Sequence, residues 1–299
     1  MEDTRRPAVV EASTRWTIGR LLTWTASYLA EKGADFPRLD AEVLLAHSLG
    51  CRRIELYTRH QEEAPEEVRT RFRDLIRRRV EGCPVAYLVG RKEFFSLEFD
   101  VNSSVLIPRP DTECVVMECL RLARDMQAPH ILDLGTGSGN LAVTVAHQQR
   151  SAFVVAVDIC ADALAIAERN AAKHGVKDRI TFLKGDVFEP VPNDERFDFI
   201  LSNPPYIPSA DIAQLAIGVR DYEPHLALDG GADGFAIFDR IVDQSRSFLK
   251  PGGYLMLEIG APQESHARDR FGQYSEYELG PTIRDGAGHP RVLRAKRQA

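Results

Sequence analysis

Beyond Pro129 the sequence alternates short apolar runs with amphipathic ones, and no other feature constrains the fold as strongly. HILDLG is followed by NLAVTVAHQ and FVVAVD by ADALAIAERNAAKHG. ITFLKGD and FDFILSN come next, then a helical run around GFAIFDRIVDQSRSFL and finally GYLMLEIG. Apolar strands of this kind need cover on both faces, and the intervening helices supply it. The pattern specifies an α/β fold with a doubly wound, mostly parallel sheet and a ligand site at the carboxyl ends of the strands.

The earlier part of the chain reads differently. From Trp16 to Gly82 the spacing is helical, with stops at Gly33, Gly50 and Gly82 and starts at Pro37 and near Pro65. These signals predict a small all-helical domain. Its last helix carries Arg69, Arg71, Arg73, Arg77, Arg78 and Arg79, either a solvated face or a docking face for an acidic partner. From Val85 to Ile107, EFFSLEFDVNSSVLI offers two β-like runs separated by Asn102-Ser103-Ser104 and predicts a hairpin. Pro108 and Pro110 then break the chain before Asp111 and Thr112, either of which can cap a helix over TECVVMECLRLARDM. The expected organisation is a helical substrate-recognition domain over 1–85, a β-hairpin linker over 86–108 and a catalytic domain over 109–299.

Composition narrows the classes. With 299 residues, 44% hydrophobic and 27% charged, the chain can bury a core without disulfide staples. Its five cysteines form no C-x-x-C pair, so neither a zinc knuckle nor a redox dithiol is expected and a reducing cytoplasm suits them. The eight histidines show no ligand spacing, and no metal is assigned. The start MEDTRRPAVVEAS lacks the apolar region of a secretory signal, and no stretch reaches the roughly 20 apolar residues of a membrane span. The net charge of −6 is uneven: residues 1–90 hold 15 basic against 14 acidic side chains, and residues 91–299 hold 23 against 30. An acidic larger part disfavours stable nucleic-acid binding, which needs a basic footprint.

The strand ends carry the chemistry. Gly135-Thr136-Gly137-Ser138-Gly139 follows HILDL and opens a helix, where glycines admit close approach and the helix N-terminus offers free N–H groups. The spacing is G-x-G-x-G after Asp133, and not the G-x-G-x-x-G of dinucleotide binders. A preceding carboxylate suits the ammonium of a zwitterionic tail. Asp158 ends the next strand, where it can accept both hydroxyls of a ribose or cap the following helix. Asp186 and Val187 end the third, placing a carboxylate and an apolar wall beside an adenine. Together these residues resemble the class I S-adenosylmethionine-dependent methyltransferases.

The fourth strand ends in Asn203-Pro204-Pro205-Tyr206. Two prolines fix φ and remove donors, leaving a rigid turn that presents acceptors. A planar NH₂ group is a poor nucleophile because its lone pair is delocalised. With the Asn203 side-chain oxygen and the Pro204 carbonyl accepting its two hydrogens, that lone pair is held facing an electrophile. Tyr206 would stack on the planar group, with Pro205 closing the substrate-binding turn.

Further segments make the resemblance closer. They are Ala86-Tyr87-Leu88, Glu93-Phe94, Ile107-Pro108-Arg109-Pro110-Asp111-Thr112-Glu113, Tyr222-Glu223-Pro224 with Ala227-Leu228, and Pro251-Gly252-Gly253 with Leu257-Glu258-Ile259-Gly260. With the tetrapeptide they resemble the glutamine N5-methyltransferases that act on peptide chain release factors. That resemblance implies a seven-stranded methyltransferase sheet, S-adenosylmethionine as cofactor with S-adenosylhomocysteine as product, and no metal. Cofactor binding would fall to Gly135, Thr136, Gly137, Ser138, Gly139, Asp158, Asp186, Val187 and Asn203, and catalysis to Asn203, Pro204 and Tyr206. The implied substrate is the glutamine of the Gly-Gly-Gln loop in class 1 release factors, met by a monomeric cytoplasmic enzyme. Two departures stand out: Val187 occupies an often aromatic position, so either a weaker adenine wall or a share of it taken by Phe188 is expected, and Asp285-Gly286-Ala287-Gly288 replaces a more usual Asp-Leu-Ala-Gly. Glutamine methylation of a ribosomal protein and adenine-N6 methylation of DNA are the alternative reactions, and a non-catalytic cofactor-binding scaffold is the alternative class.

Overall fold

The computed structural model describes residues 15–298 and divides the chain into two compact units, one ending at Val89 and the other beginning at Gly90. The expectation about the first residues, MEDTRRPAVVEAS, falls outside the described part.

The first unit is helical: α1 (Ile18–Glu31), α2 (Pro37–Leu49), α3 (Glu55–Thr58), α4 (Glu66–Val80) and α5 (Val85–Val89). Thr17 caps α1 by accepting the Arg20 N–H at 3.2 Å, and Gly50 ends α2 in the left-handed conformation at φ +63°. Val68, Phe72 and Ile76 recur every four residues on α4 and are buried. The arginine run is partly committed to internal pairs. Arg79 reaches the buried Asp40 of α2 at 2.8 Å, Arg77 pairs with Asp74 at 2.7 Å, and Arg69 pairs with Glu66.

Two boundaries differ from the sequence expectation. Residues 85–89 form α5, so the expected linker begins as helix. The hairpin is β1 (Arg91–Phe94) and β2 (Leu97–Asp100), in register Phe94↔Leu97, and its turn is Phe95-Ser96 rather than Asn102-Ser103-Ser104. Both turn residues adopt positive φ, 51° and 59°, the geometry of a two-residue hairpin loop that normally selects Asn-Gly. Phe95 tolerates it because its N–H donates to Glu113 Oε1 at 3.0 Å and its ring packs on the adjacent core. The hairpin belongs to the second unit: Phe94 and Phe99 are buried in that core, and each such side chain contributes about 1.5–3 kcal/mol.

After a 3₁₀ turn at Pro110–Thr112 the second unit continues through α6 (Glu113–Ala123), β3 (His130–Leu134), α7 (Asn140–Gln148), β4 (Phe153–Asp158), α8 (Ala161–Lys173), β5 (Ile180–Lys184) and β6 (Phe197–Ser202). It closes with α9 (Ile217–Arg220), α10 (Ala236–Ser245), β7 (Leu249–Glu258), α11 (Glu264–Phe271), β8 (Tyr277–Leu279), β9 (Ile283–Arg284) and β10 (Pro290–Arg297). The strand order is β5-β4-β3-β6-β7-β10-β8, seven strands as expected, with the two-residue β9 added against β10. β5, β4, β3, β6 and β7 run parallel, and β10 is antiparallel to its neighbours.

Alternation along the strands builds two cores. Ile131, Val154, Phe199 and Met256 pack with α6 and α7 on one face, while Leu132, Leu134, Ile200, Leu255 and Leu257 pack with α10 and α11 on the other. Phe188 is part of the second core, its ring stacked on Phe248 at 4.7 Å. Of the two alternatives expected beside Val187, the share taken by Phe188 is not what this packing provides. All five cysteines are unpaired. A side chain at Gly286 would meet nothing within 4 Å, so the departure at this exposed turn is sterically free. Among the described residues no helix is long and apolar enough to cross a membrane.

Candidate active site

The carboxyl ends of β3, β4 and β6 and the loop after β5 open into one cavity of about 320 Å³. Gly135 to Ser138, Asp158, Asp186, Val187, Asn203, Pro204 and Pro205 all line it.

The loop after β3 is held by the sheet. The Gly135 and Thr136 N–H groups donate to the Val157 carbonyl at 2.9 and 3.0 Å, and Gly139 donates to the Thr136 carbonyl at 2.8 Å. Gly137 has φ +55° and its N–H donates to Asp158 Oδ2 at 2.8 Å. At Gly139, φ is +79° and a Cβ would stand 3.1 Å from the Cβ of Ala167, so this helix entrance requires glycine on both counts. Asp133 braces the loop from below, its Oδ2 accepting the Thr136 hydroxyl at 2.6 Å and the Ala142 N–H at 3.1 Å. Burial pushes the Asp133 carboxyl up to about 7. Two buried polar atoms at this loop, Asp133 Oδ1 and Ser138 Oγ, have no protein partner. Of the two, Ser138 lines the cavity, while Asp133 is fully buried.

Asp158 joins the start of α8 to the glycine loop. Its Oδ1 accepts the Cys160 N–H at the start of α8 at 2.9 Å, and its Oδ2 accepts Gly137. The side chain lines the cavity. Burial raises its carboxyl above the usual range. Asp186 is engaged by Arg240 of α10 at 2.8 Å, a pair that tethers the loop after β5. Val187 stands at φ +55°, a rare conformation for a β-branched residue. It forms an apolar wall with Ile159, Ile237 and Ile241. Ile159, half exposed directly after Asp158, was not anticipated from the sequence.

The tetrapeptide leaves the sheet after Ser202, whose hydroxyl donates to the Leu134 carbonyl at 2.7 Å. The Asn203 Nδ2–H donates to Thr112 Oγ1 at 3.2 Å, leaving Oδ1 to accept from a ligand. Pro204 and Pro205 line the cavity, whereas the Tyr206 ring, half-buried, is set back from the cavity wall. The Tyr206 carbonyl accepts from Gln263 Nε2 at 2.9 Å, and burial pushes its hydroxyl up to about 12.

Residues 104–109 and 224–229 form the opposite rim. The buried carboxylate of Glu223 ties these rims together by accepting from the Arg109 guanidinium and, at 3.2 Å, from the Ile107 N–H. The long segment from Ile207 to Gly231 is thus fastened at Glu223 and at the Ile207↔Asp229 bridge, and it presents Leu226 and Ala227 to the cavity.

Such a sheet, with a glycine loop, an acid after the second parallel strand and an acceptor turn after the fourth, defines a methyltransferase domain. Residues 126–282 match the family model described as a methyltransferase domain, and residues 20–90 match the one described as a PrmC N-terminal domain. The release factor glutamine methyltransferase of Rhodopirellula baltica is 44% identical over 94% of this chain and 96% of its own length. That of Geobacter sulfurreducens is 47% identical over 83% of this chain and 86% of its own. Among solved structures, the hMettl16 catalytic domain in complex with MAT2A 3′UTR hairpin 6 aligns at 14% identity. Its TM-score is 0.55, over 75% of this chain and 82% of that one, a likeness of fold. The chain belongs to the release factor glutamine methyltransferase family.

Proposed function

We propose that this protein transfers a methyl group from S-adenosylmethionine to the side-chain amide nitrogen of the glutamine in the Gly-Gly-Gln loop of class 1 release factors. The single observation that carries the chemistry is the orientation of Asn203, whose Nδ2 is engaged by Thr112 so that Oδ1 is left as an acceptor. Family membership supports the choice of a glutamine over an adenine. The cofactor is held by residues that fit its parts. Gly135 to Ser138, with the unpartnered Ser138 Oγ, suit the amino-acid tail. Asp158 suits the ribose, and Val187 with Ile159 suits the flat base. When bound, S-adenosylmethionine supplies an electrophilic methyl group and leaves as S-adenosylhomocysteine, and the methylated amide nitrogen gives up its surplus proton to water.

The chain's own part is positioning. Asn203 Oδ1 and the Pro204 carbonyl accept the two N–H hydrogens, which turns the nitrogen lone pair away from them and stabilises positive charge as it develops. Pro205 keeps the turn rigid. Tyr206 then acts from behind the turn, as a packed support whose carbonyl is anchored by Gln263.

The test is the purified full chain with labelled S-adenosylmethionine, a release factor and, in a separate reaction, ribosomes, followed by peptide mass mapping. Label on the Gly-Gly-Gln glutamine is the expected result. Label confined to a ribosomal protein, or none on that glutamine, overturns the reading.

A further inference from the structure

We infer that Asn170 is a positioning residue that locks the glycine loop to the hairpin and so sets the spacing between the cofactor side and the substrate side of the cavity. The inference rests on the methyltransferase reading above, which sets S-adenosylmethionine against that loop.

Asn170 lies near the end of α8 and is fully buried. Asparagine is a poor helix former, and a buried amide is costly unless its donors and acceptor are met. Here the backbone meets them. Oδ1 accepts the Asp100 N–H at 2.7 Å, while Nδ2 donates to the Asp100 carbonyl at 3.0 Å and to the Ser138 carbonyl at 2.8 Å. Carbonyls only accept and backbone N–H groups only donate, so the amide has one orientation. Towards Asp100 it exchanges both bonds, as a neighbouring strand would. Its third bond reaches the glycine loop.

The two residues that it joins belong to opposite sides of the cavity. Ser138 lines the cavity from the loop after β3. Asp100 ends β2, and the chain runs on from there into the rim at Ser104, Val105, Leu106, Pro108 and Arg109. Asn170 stands behind both.

The Ser138–Gly139 peptide shows what the third bond achieves. Gly137 at φ +55° precedes it and Gly139 at φ +79° closes it, so side-chain sterics resist its rotation only weakly. The Gly139 N–H donates to the Thr136 carbonyl at 2.8 Å and the Ser138 carbonyl accepts from Asn170, so this peptide plane is pinned on both edges. Without Asn170 one edge is free, and the plane can turn beneath the bound cofactor. A displacement of about 1 Å at the reacting atoms costs on the order of 100-fold in rate. Lys173 supplies the comparison: it pairs with Glu98 at 3.1 Å and Asp100 at 2.8 Å, fastening α8 to the same hairpin through ion pairs that do not involve the loop.

Full-length Asn170→Asp and Lys173→Ala proteins test this. Asn170→Asp keeps the size and the acceptor for Asp100, but turns an oxygen without a hydrogen towards two carbonyls. We expect it to bind S-adenosylmethionine about 10-fold or more weakly by calorimetry, with kcat at saturating cofactor lowered about 30-fold. Lys173→Ala should bind the cofactor within about 2-fold of the unmutated protein. In the ligand-free proteins, amide hydrogen exchange over residues 135–142 should quicken in Asn170→Asp and stay unchanged in Lys173→Ala, while residues 97–101 quicken in both. Unchanged cofactor affinity in Asn170→Asp, or equal losses in the two variants, would overturn the positioning role. Should Asn170→Asp fail to fold, the unmutated protein decides: S-adenosylmethionine should slow exchange over 97–101, outside the cavity lining, together with 135–142, and protection confined to the loop overturns the coupling. An unmutated protein that binds no S-adenosylmethionine overturns the cofactor reading instead, while ligand-free exchange in the two variants still decides whether Asn170 locks the loop.

Discussion

Asp158 Oδ2 accepts the N–H of Gly137 at 2.8 Å, so the acid that ends β4 and the glycine loop that follows β3 form one rigid edge of the cavity. Replacing Asp158 by Asn keeps the size but turns one acceptor into a donor, which must then oppose either Gly137 or Cys160. We expect S-adenosylmethionine to bind about 10- to 100-fold more weakly, or roughly 1.4–2.7 kcal/mol, measured by calorimetry. Affinity within twofold of the unmutated protein would show that this edge does not hold the ribose.

Val187 combines φ +55° with a branched side chain over the cavity. Glycine at this position relieves a left-handed penalty of about 1–2 kcal/mol and removes the apolar wall. Val187→Gly should therefore match or exceed the unmutated protein in thermal midpoint while binding S-adenosylmethionine several-fold more weakly. A fall in both quantities would contradict the strain argument.

Glu223 is buried and holds both the Arg109 guanidinium and the Ile107 N–H. Glu223→Ala leaves two donors unpaired at the rim, a loss of about 3 kcal/mol by the usual cost of breaking such a pair. Urea unfolding should report it, with KM for the release factor rising more than kcat falls. An unchanged unfolding midpoint would show that the rims are held by something else.

Burial raises the Glu258 and Asp133 carboxyls to about 7 each. A carboxyl whose folded value lies above its unfolded one stabilises the fold most when protonated. That stability is present below the unfolded value near 4 and is lost as pH rises towards 7, by up to about 1.4 kcal/mol per pH unit and per group. Glu258→Gln removes one of the two contributions. Its stability relative to the unmutated protein should rise between pH 5 and pH 8, read from unfolding midpoints at each pH. A constant difference across that interval would show that Glu258 titrates normally.

Much of the catalytic unit could be read along the chain because its information is local. The strands that end at Leu134, Asp158, Lys184 and Ser202 coincide with the apolar runs, and the helices between them begin where the sequence places their caps and glycines. The hairpin turn was misplaced because Phe95-Ser96 carries no turn signal. Its left-handed backbone is stabilised by Glu113, a residue 18 positions away. The short strands β8 and β9 and the return strand β10 were not located, since three, two and eight residues of mixed character give little periodicity before a sheet edge receives them.

The identities at the strand ends, the glycine loop, Asp158, Asp186 and the Asn203 turn, were determined by the sequence alone, because in a parallel sheet successive strand ends must meet at one edge. What the tertiary structure decided was which way those groups face and what occupies their spare hydrogen bonds. Phe188 turns into the second core, Asp186 is taken by Arg240 and Tyr206 stands back from the cavity. Asn203 Nδ2 donates to Thr112, 91 residues earlier. Pairings of this kind join residues remote along the chain, and only packing brings their donors and acceptors within reach of one another.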